Sequence, residues 1–164
     1  MTTQEQPAPT GKDCAVNAAN YDKINGWLLI PAYLHPLVRV GSNIYASLQV
    51  STLLATPGLS PDAMAYIVAL LASCIVFGIA WGACGYFAYS LKPVFPKTYI
   101  WTSIADIVVS ALFLGITYAA FGLDAAPDET AGLIKMILAA MIWIPYMLMS
   151  KRVKATFYGE PVAR

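Results

Sequence analysis

Three ionisable residues sit in stretches that offer them almost no polar company: His35 and Arg39, four positions apart, and Asp106 far along the chain. Residues four apart meet on one helical face. A charge at the centre of a bilayer costs at least about 2.5–3.5 kcal/mol on insertion scales, so an intramembrane acid normally has a partner. The pattern predicts Asp106 buried between helices and paired with the first apolar segment, at His35, Arg39 or both. The competing arrangement has Arg39 and Asp106 each snorkelling to its own interface. With Trp27 and Trp101 as marks of one interface and about 1.5 Å of rise per residue, His35 lies about 12 Å deep, Asp106 about 8 Å and Arg39 about 18 Å. His35 is then the nearer partner. An imidazole beside a carboxylate would give this cluster a proton-linked role.

A second constellation is the run Ser150-Lys151-Arg152-Val153-Lys154-Ala155-Thr156-Phe157, which follows the aromatic Trp143-Ile144-Pro145-Tyr146. Trp and Tyr settle at headgroup level, and cations collect on the cytoplasmic side of a spanning helix. Lys151, Arg152 and Lys154 therefore read as stop-transfer charges, as holders of anionic lipid, or as a protein contact. Val153 and Phe157 are four apart, which suggests an amphipathic turn with Phe157 dipping into the headgroups. The two constellations leave little room for catalysis. The chain has one histidine, no Cys-x-x-Cys, no phosphate-binding glycine loop and no pair of acids within an apolar segment. Neither an enzyme nor a nucleic-acid module is expected, and no cofactor or metal. Cys14, Cys74 and Cys84 carry no ligand spacing; the last two lie ten apart on one helix and read as small packing residues.

The elements that must hold these residues follow from composition. Hydrophobic residues make up 59% of the 164 and charged ones 12%, against roughly 25% charged in an average soluble domain. Such a chain cannot hide its apolar surface without lipid. An all-α, polytopic membrane fold with four spans is expected, at about 26–50, 63–91, 99–121 and 131–149. A polar leader (1–24) reads as a disordered cytoplasmic tail with no signal-peptide pattern, and 151–164 as a basic cytoplasmic tail. Pro31 and Pro36 predict a broken or bent first span. Ser60 and Pro61 predict the N-cap and first residue of the second helix, and the short Lys92–Lys97 connection predicts an antiparallel hairpin. Small residues recur every fourth position at Cys74, Gly78 and Gly82 and again at Ala111, Gly115 and Ala119. The hairpin predicts that these two seams meet, the alternative being a contact between copies.

Charge sets the orientation. Lys12, Lys23, Lys92, Lys97, Lys151, Arg152, Lys154 and Arg164, eight of the ten Lys and Arg residues, fall on the side that carries both termini. Asp62, Asp124, Asp128 and Glu129 fall on the other. Both termini are thus expected in the cytoplasm. Trp27, Trp101 and Trp143 then line the inner interface, whereas Trp81, deep in the second span, requires a packing role.

Asn25-Gly26-Trp27-Leu28-Leu29 at the start, the Lys-Pro-x-x-Pro-Lys-like hairpin, and above all Trp143-Ile144-Pro145-Tyr146 running into Ser150–Phe157 resemble a bacterial family of four-span inner-membrane proteins known as a domain of unknown function. The resemblance runs from about Gly26 to Phe157. It implies a four-helix membrane fold, the inner membrane as location, and no assigned chemistry. Two readings of function stand, and size favours the first, since four spans leave little room for a private substrate path and conduction would need several copies. One is an accessory or assembly protein that meets another membrane protein through its helix faces; the other is a small oligomeric transporter or ion-conducting protein using His35, Arg39 and Asp106. Lipid, another membrane protein and a second copy are the expected partners.

Overall fold

The computed structural model describes residues 26–121 and 127–159. The leader with Cys14, the turn holding Asp124 and the last residues of the basic tail lie outside the described residues. Among the described residues the fold is all helical, without a strand.

The first segment is composite. A 3-10 turn at Gly26–Leu28 leads into a π-helical turn at Ile30–Leu34 and then into α1, His35–Leu53. The prolines account for this. Pro36 has no N–H for the carbonyl four residues back, and the wider turn uses instead the His35 N–H, which donates to the Ile30 carbonyl. The irregularity is thus confined to the first two turns, and Arg39 stands on regular helix.

The second helix, α2, is Pro61–Tyr89. Ser60 caps it as expected, its hydroxyl accepting from the Ala63 N–H at 3.2 Å, with Pro61 in the first turn. It ends at Leu91, whose φ of 52° is left-handed; the Lys92 N–H then reaches back to the Phe87 carbonyl at 3.0 Å. This tight closure turns the chain into α3, Phe95–Phe121. The next helix, α4, is Pro127–Met149 and begins with Asp128 and Glu129, whose charges suit a helix N-terminus. Three stretches, Pro61–Tyr89, Phe95–Ala120 and Asp128–Met149, are long and apolar enough to cross a membrane. The chain has the architecture of a helical membrane protein. In α1, which does not reach that apolarity, several polar side chains bond to its own backbone: Asn43 donates to the Arg39 carbonyl, Ser47 to Asn43, Ser51 to Leu48 and Thr52 to Gln49.

The basic tail departs from expectation. Ser150 leaves helical geometry, and its hydroxyl caps a separate helix α5, Lys151–Tyr158, by accepting from the Val153 N–H at 3.4 Å. Gly159, left-handed at φ 66°, closes it. Val153 and Phe157 are buried, and Phe157 packs on Phe95 with ring centroids 4.9 Å apart. Phe157 therefore does not dip into the headgroups; the break at Ser150 folds the tail's apolar face back across the end of the bundle.

The small-residue seams also pack differently from expectation. On α2, Gly78 faces α1, where an added Cβ would lie 3.6 Å from that of Asn43. Gly82, Ala111, Gly115 and Ala119 are exposed, and a Cβ at Gly82 or Gly115 would meet nothing within 4 Å. The seams do not meet because α2 and α3 face each other through larger groups. Trp81, Cys84, Tyr99 and Thr102 stand between them, with the Cys84 thiol 3.6 Å from the Thr102 hydroxyl.

Candidate functional site

The buried core gathers at the end of the bundle that carries the cations, where Leu28, Ala32, Trp81, Cys84, Ala88, Phe95, Tyr99, Met147, Val153 and Phe157 form one cluster. Its upper boundary is polar. Asp106, 4% exposed, receives the Arg39 guanidinium at Oδ2, and the Trp81 indole N–H donates to the same oxygen at 2.7 Å. The pair joins α1 to α3, and α2 supplies the neutral donor between them. A buried carboxylate with one cation and one N–H donor is compensated well enough to persist away from water.

His35 takes a different partner. Its Nδ1 lies 2.8 Å from the Tyr99 hydroxyl, and its ring meets Trp81 edge-on with centroids 4.9 Å apart. Trp81 and Tyr99 are also T-shaped to each other at 5.5 Å. These three rings make a plug directly beneath the ion pair. Sequence depth favoured His35 as the nearer neighbour of Asp106, yet Arg39 holds the bond. The error lies in the marker: α3 begins at Phe95, four residues before the expected Tyr99, so Trp101 stands about 6 Å further from the helix start than assumed. Asp106 is correspondingly deeper, level with Arg39's reach.

Above the ion pair the helices separate. A cavity of about 330 Å³ opens between α1, α2, α3 and α4, with Arg39 and Asp106 at one extreme and Tyr66, Thr117 and Glu129 at the other. Eleven residues of α3 separate Asp106 from Thr117, a length of about 16 Å. Ser42, Asn43, Ser73, Cys74 and Ser110 contribute polar groups to its wall, beside Leu70, Phe77 and Phe113. At its wide end the Tyr66 hydroxyl is 2.8 Å from that of Thr117, which itself donates to the Phe113 carbonyl at 3.0 Å. Beside the pair, among His35, Trp81, Met136 and Ala140, lies a space of about 10 Å³. That is room for one water at most. The cavity thus has a largely apolar wall with polar groups set into it, and at one extreme it meets the ion pair and the aromatic rings beside it.

Of the residues singled out in the sequence, Arg39 and Asp106 pair directly, and His35 stands one helical turn below them, bonded to Tyr99. The tail residues are split. Arg152 turns toward the start of the first segment, where a Cβ on Gly26 (φ +61°) would lie 3.4 Å from its Nη1, while Lys151 and Lys154 are exposed. Sequence reasoning missed Trp81 and Tyr99 as parts of the cluster. The available signal was Trp81 itself, a mid-span indole that required a partner for its N–H. Among the described residues no three His, Cys, Asp or Glu side chains gather as metal ligands.

A bundle with three helices long and apolar enough to cross a membrane, and with an ion pair buried within it, defines a class of helical membrane protein. Within that class, residues 21–158 match the family described as protein of unknown function (DUF2569), and the chain belongs to that family. Neither curated proteins nor solved structures give a match to it.

Proposed function

We propose that this protein is a multi-pass protein of the bacterial inner membrane, with four spans and both termini cytoplasmic, that admits a small polar solute or ion to Arg39 and Asp106 and passes it across. The observation that carries this reading is the 330 Å³ cavity, apolar over most of its wall, that brings polar side chains and the buried ion pair to one space. Packing alone gives no reason to keep a cavity with this wall inside a bundle that lipid surrounds. A first span that includes α1 is supported by its 19 residues, about 29 Å at 1.5 Å per residue, close to the roughly 30 Å of a hydrocarbon core. The cation bias supports the orientation, which puts the cavity mouth outside and the aromatic plug inside. No enzymatic step is part of this reading.

The test is osmotic. Proteoliposomes shrunk by an external pulse of glycine, glycerol or KCl should re-swell faster than empty vesicles for at least one of these, and Asp106→Asn should slow that re-swelling. Re-swelling no faster than in empty vesicles for all three would overturn the transport reading. For the orientation, a phosphatase reporter fused after Pro57 should be active and one after Val94 silent; the reverse would turn the bundle over.

One observation favours the second reading, an accessory or assembly protein. Gly82, Ala111, Gly115 and Ala119 form exposed small-residue faces, which suit close approach of another membrane helix. Extraction in mild detergent discriminates: a homo-oligomer fits a transporter, and a distinct membrane partner fits an accessory subunit.

A further inference from the structure

We propose that the cavity floor is a binding site for a small zwitterion of the amino-acid class, its carboxylate on Arg39 and its ammonium on Asp106. This rests on the cavity being a solute site, and it deepens that reading. The ion pair leaves part of each partner's hydrogen-bonding capacity unused. Both bonds to Asp106, from Arg39 Nη2 and from Trp81 Nε1, fall on Oδ2. Among the described residues Oδ1 has no hydrogen-bond partner, and the carboxylate lines the cavity. Arg39 likewise donates through Nη2 alone; Nε is buried without a partner, and Nη1 makes no bond among the described residues.

An ion pair that served only to neutralise itself would use both halves more fully, as bidentate Arg–carboxylate pairs do. Here Oδ1 of Asp106 and Nη1 of Arg39 retain unused capacity, and both residues line the same cavity. A lone anion there would meet the free guanidinium edge and the repulsion of Asp106 together. A lone cation would meet the converse. A molecule carrying both charges a few atoms apart satisfies both halves, and the net charge of the site does not change when it enters. Size agrees: about 330 Å³ is ample for a small amino acid. The remainder of the wall supplies apolar surface at Leu70, Phe77 and Phe113 for a neutral side chain, with Ser110 and Asn43 as nearby hydrogen-bonding groups. Glu129 at the wide end would attract the ammonium rather than the carboxylate, which fits entry with the cation leading.

The test is thermal unfolding of the purified protein in detergent with glycine, L-alanine, L-leucine, glycine betaine, acetate and methylammonium as probes. At least one of the three amino acids should raise the melting temperature saturably, by about 5 °C at a hundredfold excess over Kd. Acetate and methylammonium, each half of the ligand, should give no saturable shift, and glycine betaine, which has no ammonium N–H, should give less than the amino acids. Because Arg39→Gln and Asp106→Asn are expected to unfold more easily, Gly132→Phe is the control that spares the ion pair. Gly132 lines the cavity with open space around its Cα, so the ring fills the cavity and should abolish the shift while the protein remains folded. No shift with any amino acid, an equal shift with acetate alone, or an undiminished shift in Gly132→Phe would overturn the proposal. Vesicle re-swelling does not depend on these outcomes, so the site can fail as a zwitterion site while transport stands, and the reverse.

Discussion

The two halves of this bundle are built on opposite terms. At the basic end almost every inward position is closed: Leu28, Trp81, Cys84, Phe95, Tyr99 and Val153 are all at most 1% exposed, and α5 folds back to cover them. At the acidic end, among the described residues, only Val50 and Ile67 are buried, and the Tyr66 and Thr117 hydroxyls that pair there line the cavity. The division falls at Asp106. The difference teaches where this chain is rigid and where it can move, because elements with few buried apolar contacts open at low cost. A half that is closed and aromatic can serve as a floor, and a half that is loose and polar can serve as an entrance.

The sharpest test of that division uses the two cysteines on α2. Cys74 lines the cavity and Cys84 is buried in the core cluster. In a Cys14→Ser background, a small water-soluble thiosulfonate added outside cells should modify Cys74 and leave Cys84 unreacted. A thiol must meet water and reagent to react. Equal protection of both would close the cavity to solvent and erase the contrast.

Next in size is the ion pair on the boundary itself. Breaking a buried pair by removing one partner is expected to cost about 3–5 kcal/mol, since the other charge is left uncompensated. Asp106→Ala should therefore lower stability in detergent severely. Asp106→Asn and Arg39→Gln together should cost less than the sum of the single changes, because the double variant leaves no lone charge. Strictly additive losses would mean that Arg39 and Asp106 do not depend on each other. The covering helix comes third: Phe157→Ala should cost about 3 kcal/mol as a large-to-small change in a closed core. Were Phe157 in the headgroups instead, the bundle's melting point would not move.

Much of this was legible in the sequence, and the omissions have physical causes. The helices, the Ser60 cap, the disturbed first segment and the partnership of Asp106 with the first segment all follow from local rules: apolar length, the missing proline donor, and the cost of a lone charge in lipid. The choice of Arg39 over His35 was not legible, because it depends on the relative height of α1 and α3. That height was inferred from Trp101, an exposed indole that marks no helix start. The cavity was illegible for a related reason. Ser42, Ser73, Ser110 and Thr117 lie on three different helices, and hydroxyls in membrane helices ordinarily bond their own backbone, as Thr117 also does here. Only their convergence distinguishes a wall from four ordinary residues. The fold-back of α5 came from one residue, Ser150, which reads equally well as the end of a span or as a cap.

The smallest effect is the most diagnostic of the comparison, since it removes the same kind of group from each half. Trp81→Phe deletes the indole N–H that donates to Asp106 at 2.7 Å, and Tyr66→Phe deletes the hydroxyl that meets Thr117 at 2.8 Å. In the closed half the space beside Trp81 holds one water at most, and the acceptor is charged, so the cost should be about 1.5–3 kcal/mol. In the open half Thr117 keeps its bond to the Phe113 carbonyl, and water in the cavity can take the place of the tyrosine hydroxyl. Tyr66→Phe should accordingly stay within about 1 kcal/mol of the parent. Paired melting curves of the two variants decide the matter. Similar losses for both would show that the cavity is as dry as the plug, and the entrance would then have to be sought elsewhere on the bundle.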